Sequence, residues 1–193
     1  MAVFASLSQV VASDSSRLGG KNPLHDLVRE LDGKHVKGIL INSAKGDYPI
    51  RYLSRLENAA IFNMADVVEV VVKTNPEELE LYGVESLYSA ASMGSLDVVV
   101  LLLEYGVSPN AKLESGYTAL YSAVQFGELD VIRKLVDSGA NINYKVKGGP
   151  SLMVTAVIEK RQKAIEVVID SGYVLSAEEQ NFLSKNKVKS MNK

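Results

Sequence analysis

The stretch Gly83-Val84-Glu85-Ser86-Leu87-Tyr88-Ser89-Ala90-Ala91-Ser92-Met93-Gly94 decides the fold. It returns 33 residues later as Gly116-Tyr117-Thr118-Ala119-Leu120-Tyr121-Ser122-Ala123-Val124-Gln125-Phe126-Gly127. The register then holds: Leu96 with Leu129, Asp97 with Asp130, Val98 with Val131, Leu102 with Leu135, Gly106 with Gly139, and Asn110 with Asn143. A third echo comes at Gly149, Ala156, Val168 and Gly172. A fixed period of this length marks stacked units rather than one closed core. Within a unit, Leu120, Ala123 and Val124 fall at i, i+3 and i+4, which predicts a helix from Thr118 to Phe126. Gly127 ends it, because glycine takes the left-handed conformation without steric cost. A second helix is predicted over Leu129 to Ser138, with Val131, Ile132, Leu135 and Val136 inward and Gly139 as its stop. The small Ala90 and Ala123 let neighbouring helices approach closely. One unit cannot bury its apolar stripe alone, whereas stacked units can.

The runs Val67 to Val72 and Val98 to Leu103 have the composition of buried strands, so an α/β sheet is the competing architecture. The fixed period and the paired glycines decide against it. A weaker copy precedes the strong pair at a spacing of 31: Leu56 with Leu87, Ala59 with Ala90, Ala60 with Ala91, Val67 with Val98, and Val71 with Leu102. Asn63 stands where Gly94 stands, and Asn75 where Gly106 stands. Asparagine tolerates positive φ best after glycine, so both are expected to keep the left-handed geometry. Earlier still, Gly20-Lys21-Asn22-Pro23-Leu24-His25 opens a unit whose inward positions are Leu27, Val28, Val36, Ile39 and Leu40.

The unit resembles the ankyrin repeat, which opens G-x-T-P-L-H-x-A-A, stops at a glycine, and continues V-V-x-L-L-L-x-x-G-A-x-x-N. The resemblance runs from about Arg17 to Leu175. It is strongest over residues 80–112 and 113–145. It is weakest in the last unit, where Lys160 stands for Gly127 and Met153 for Leu120. The resemblance implies an all-α helical solenoid of about five helix-turn-helix repeats in a single domain, 1–193. The repeats are placed at 17–47, 48–79, 80–112, 113–145 and 146–175, with caps at 1–16 and 176–193. Val3, Leu7, Val10 and Val11 give the first cap an amphipathic spacing. Ser176-Ala177-Glu178-Glu179 has the form of a capping box that starts a last helix through about Leu183.

Composition excludes several kinds of chemistry. The chain has 193 residues and no cysteine, so neither disulfides, a thiolate nucleophile nor a cysteine-based zinc site is available. It has 21 Lys and Arg against 23 Asp and Glu, a balance that does not suit a dedicated polyanion binder. Hydrophobic residues are plentiful while only 7% are aromatic, as an aliphatic, alanine-rich core requires. The longest aliphatic run, Val98 to Leu103, is far short of the roughly 20 residues that span a bilayer. The start carries no basic residue before its apolar patch, which does not suit a secretory signal. The cytoplasm is the expected compartment. No G-x-S-x-G, G-x-G-x-x-G, G-x-x-x-x-G-K or H-E-x-x-H occurs. His25 occupies the family's turn histidine, where the resemblance implies a structural hydrogen bond. His35 comes after a turn at Asp32-Gly33 and has no nucleophile at a useful spacing. Glu77, Glu78, Glu80, Glu178 and Glu179 are expected as solvated helix starts, and Asp97 and Asp130 as complements to helix dipoles. Lys185, Lys187, Lys189 and Lys193 form a basic tail too short to argue for nucleic acid.

These observations point to a non-enzymatic protein without cofactor or metal, monomeric when free, that binds another protein. An inhibitor, immunity or antitoxin protein directed at a toxin or effector is the preferred form. An adaptor or scaffold is the alternative, with a nucleic-acid accessory or a helical-scaffold enzyme behind it. The resemblance places the contacts on the concave face, in the turn tips and first helices. The tips are then Leu81, Tyr82 and Val84, followed by Glu114, Ser115 and Tyr117. The first-helix positions are Ser92 and Met93, then Gln125 and Phe126. Lys112, Lys145 and Lys147 form a basic column beside them. Tyr82, Val84, Met93, Lys112, Glu114, Tyr117, Gln125, Phe126, Lys145 and Lys147 are the candidate contacts. Aromatic and methionine side chains are enriched in interface cores. Alternatively, Tyr82 and Tyr117 brace neighbouring tips and Phe126 packs on the next unit. Tyr88 and Tyr121, at the family's turn histidine, are expected to be structural.

Overall fold

A computed structural model describes residues 54–186. The expected first cap, the unit 17–47, both histidines and most of the basic tail lie outside the described residues. Within them run α1 (Arg55–Ile61), α2 (Ala65–Thr74), α3 (Glu77–Met93), α4 (Leu96–Glu104), α5 (Ala119–Phe126), α6 (Leu129–Asp137), α7 (Leu152–Ile158), α8 (Gln162–Asp170) and α9 (Ala177–Lys185). No strand is present among the described residues, only two isolated antiparallel bridges. Both valine-rich runs are helical, in α2 and α4.

The helices form two layers. The first helices α1, α3, α5, α7 and α9 pack in chain order, and the second helices α2, α4, α6 and α8 pack behind them in the same order. The core fills the seam and repeats with the sequence: Leu56, Ala59 and Ala60; Leu87, Ala90 and Ala91; Leu120, Ala123 and Val124; Met153 and Ala156. Their counterparts in the second layer are Val67, Val68 and Val71, then Val98, Val99 and Leu102, then Val131, Ile132 and Leu135, then Ala164, Ile165 and Val168. Met153 is fully buried where the preceding unit has Leu120, a volume-conserving exchange of the kind cores accept. The repeat is therefore an all-α helical solenoid.

Each first helix from α1 to α7 ends in a left-handed residue: Asn63 (φ 52°), Gly94 (69°), Gly127 (81°) and Lys160 (55°). A Cβ at Gly94 would meet only the Glu128 carboxylate, the flexible end of a side chain, so the left-handed angle is what calls for glycine there. Asn63 does more than tolerate the angle. Its Nδ2 donates to Asp97 at 2.8 Å and its Oδ1 accepts from the Val98 N–H at 3.3 Å, capping the start of α4. Lys160 bears the angle without such compensation among its hydrogen bonds, beyond donating its own N–H to Val157. Asn75 departs from expectation: its φ is −142°, because Pro76 comes next and holds the preceding residue extended.

The asparagines at 110 and 143 stitch units together. Asn110 donates to the Gly139 carbonyl (2.9 Å) and accepts from the Asn141 N–H (2.7 Å), and Asn143 accepts from the Val174 N–H (3.0 Å).

Candidate protein-binding surface

Two fingers project between second and first helices. Finger 1 is closed by the bridge Lys112–Thr118 and finger 2 by Lys145–Ser151. Thr118 and Ser151 then cap α5 and α7, accepting from the N–H of Tyr121 and Val154, both at 3.3 Å. Hydroxyl N-caps suit this role because they leave the cap residue extended while satisfying a free helix donor. The finger tips turn differently. In finger 1 the left-handed residue is Gly116, and in finger 2 it is Gly148 rather than Gly149.

Each finger is braced by a later segment of the chain. Tyr144 donates its hydroxyl to the Gly116 carbonyl at 3.0 Å, and Lys112 Nζ sits 4.3 Å from the Tyr144 ring centroid. The Tyr117 ring lies 4.5 Å from that of Tyr121, centroid to centroid. Tyr121 is buried and accepts from the Thr155 hydroxyl at 2.7 Å, as its expected structural character requires. Burial raises its pKa above the ordinary value, against the lowering effect of the Thr155 bond. Finger 2 is braced by α9. The Glu179 carboxylate accepts from Ser151 Oγ, from the Tyr173 hydroxyl at 2.6 Å and from the Ser176 N–H at 2.8 Å. Lys145 Nζ stands 3.8 Å from the same carboxylate. Burial alone would raise the pKa of Glu179, but the hydrogen bonds from Ser151, Tyr173 and Ser176 outweigh it and hold the carboxyl down at about 2. Tyr173 is pushed up to about 12 by burial and by the neighbouring carboxylate.

Glu179 is thus no solvated helix start. It is 5% exposed, and Ser176 and Glu179 form the expected capping box of α9 while the same carboxylate reaches the last finger. Glu78 also departs from that expectation, lying half-buried and paired with Arg55 at 2.5 Å. Glu77 and Glu80 are exposed in the first turn of α3.

The tip expected at Leu81, Tyr82 and Val84 is not a turn. These residues lie within the continuous 17-residue α3, and Gly83 is a buried helical glycine against Val107. Glu85 occupies the place of Thr118 and offers no hydroxyl cap at which a helix could begin. Pro76 and the acidic Glu77, Glu78 and Glu80 start it earlier instead. Tyr82 is exposed on the helix and Val84 half-buried.

The remaining sequence candidates gather around the two fingers and the ends of the first helices. Glu114, Lys112, Lys145 and Lys147 are exposed on the fingers, and Tyr117 is half-buried against Tyr121. Met93 and Phe126 are 50% and 45% exposed in the last turns of α3 and α5. Gln125 is half-buried beside Phe126, its carbonyl accepting from Arg161 Nε at 3.1 Å. Ile158, 59% exposed in the last turn of α7, is a further exposed apolar side chain, one position before the register of Met93 and Phe126, and is absent from the sequence candidates. Its signal was its position 33 residues after Gln125, hidden because Lys160 replaces the glycine that flags the helix end.

The family model for ankyrin repeats (3 copies) matches residues 56–146, the span from α1 to the start of finger 2. Residues 56–146 are ankyrin repeats. Ankyrin repeats are generally protein–protein interaction modules and typically non-enzymatic. No curated protein matches this chain. Among its described residues no helix is long and apolar enough to cross a membrane, and no cluster of His, Asp and Glu could hold a metal ion.

Proposed function

We propose that this protein is a non-enzymatic module that binds a partner protein across its two fingers and the ends of its first helices. The observation that carries this is the exposure of Met93, Phe126 and Ile158. These are large apolar side chains left exposed in the last turns of three successive first helices. Such side chains become anchors when a partner covers them. Glu179, the carboxylate with a lowered pKa among the described residues, is held ionised by its hydrogen bonds, which suits a structural role rather than that of an acid or base. The fingers lead into the first helices and the exposed apolar side chains stand in their last turns, so both belong to one layer of the stack. An inhibitor or immunity protein, which acts by covering its partner, is the preferred form, with an adaptor as the alternative.

The test is Phe126→Ala, with Met93→Ala and Ile158→Ala beside it. Partners recovered with the wild-type protein are titrated against each variant. Phe126→Ala is expected to weaken binding by about 2 kcal/mol, close to thirtyfold in Kd. Unchanged affinity in a folded variant removes the surface.

A further inference from the structure

We infer that Glu179 is a positioning residue for finger 2, so that the C-terminal helix belongs to the binding machinery rather than only capping the stack. Finger 1 is held from the next finger, through Tyr144 on the Gly116 carbonyl and under the Lys112 ammonium. No third finger comes after finger 2 among the described residues, because α8 connects to α9 through Ser171 to Ser176 alone. The carboxylate of Glu179 takes over the bracing. It grips both ends of finger 2, Ser151 by a hydrogen bond and Lys145 at 3.8 Å. On its other side it is fixed by Tyr173 and by the capping box with Ser176. One buried group thereby ties the two stems of a finger to a separate helix. Between those stems the tip Val146-Lys147-Gly148-Gly149-Pro150 holds a single turn hydrogen bond, Gly149 N–H to the Val146 carbonyl at 3.0 Å. Two adjacent glycines make that tip intrinsically loose. Val146 is buried beside Gly116 and anchors the start of the tip, while Lys147 and Gly148 are exposed and depend on the stems.

The value of an ordered finger 2 rests on the binding reading above, whereas its dependence on Glu179 is measured on the free protein. The experiment is backbone 15N relaxation on the full chain, comparing amides of Lys147, Gly148 and Gly149 with those of Glu114, Ser115 and Gly116. In the wild type both tips are expected near the rigid range. In Glu179→Ala, order parameters in finger 2 are expected to fall below about 0.6, and those in finger 1, which leans on Tyr144, to fall much less. Glu179→Gln keeps an acceptor for Ser151 but loses the charge facing Lys145, and an intermediate fall is expected. Ser176→Ala removes the capping box of α9 without cutting a tie to the finger, and finger 2 is expected to keep its order. The proposal is overturned if finger 2 stays rigid in Glu179→Ala, or if Ser176→Ala loosens it equally, which would mean general fraying of the last unit. If Glu179→Ala loses α9 altogether, Glu179→Gln decides: an unchanged tip in that folded variant overturns the proposal too.

Discussion

The junction between α2 and α3 and the junction between α4 and α5 carry nearly the same sequence and fold differently. GVESLYSA and GYTALYSA share glycine, leucine, tyrosine, serine and alanine in register. The second opens with a finger closed at Lys112–Thr118. The first is one uninterrupted helix in which the glycine is buried and helical. The difference lies at one cap position and in the residues before it. Thr118 satisfies a helix donor and keeps its own backbone extended, so the chain arrives from a turn. Glu85 is a good helix former with no such cap, and the proline and glutamates upstream have already nucleated the helix. The shared leucine and alanines pack alike in both, because they face the same seam. The core of a repeat and its finger are therefore specified separately.

Removing a core leucine should expose that separation with the largest effect. Leu87→Ala and Leu120→Ala are each expected to cost between about 2 and 5 kcal/mol in chemical denaturation. Similar losses are expected in the two units despite their different entries, since both side chains are buried. A much smaller loss for Leu87 would mean that the long α3 packs on different terms.

The C-terminal junction is the third kind, fingerless like the first but latched by Glu179. Glu179→Ala is expected to cost about 3 kcal/mol, because the buried donors of Ser151 and Tyr173 lose their acceptor. The lowered carboxyl sets a pH dependence. Its folded value of about 2 lies below the ordinary 4.5, so its contribution is fully present above pH 4.5 and is lost as pH falls from there towards 2. The melting-temperature gap between wild type and Glu179→Gln should narrow across that window. A gap constant from about pH 6 to about pH 2.5 would show that the charge plays no part.

Changes at the caps are smaller and test the first comparison directly. Thr118→Ala is expected to lose about 1 kcal/mol, while Glu85→Ala should stay within about 0.5 kcal/mol of the wild type. Equal losses would deny the cap its part in separating finger from helix. At the helix stops, Lys160→Gly should gain about 1 kcal/mol by relieving a left-handed lysine. Asn63→Gly should instead lose stability, because the amide that bonds Asp97 and Val98 is removed. Thermal denaturation of the two variants should shift in opposite directions.

The sequence by itself determined the period, the two helices of each unit, the inward positions and the left-handed stops at Gly94 and Gly127. Those features depend on residues within three or four positions of one another, or on their recurrence, and both are visible along the chain. It also exposed Met93 and Phe126 as apolar side chains off the buried stripe. The tertiary structure alone decided which junctions carry fingers, because helix nucleation at Pro76 competes with a cap more than two turns away. It alone showed Ile158 exposed. It turned Glu179 from a solvated carboxylate into the buried brace of finger 2, because its partners Ser151 and Lys145 are distant in sequence and meet it only when the last first-layer helices pack.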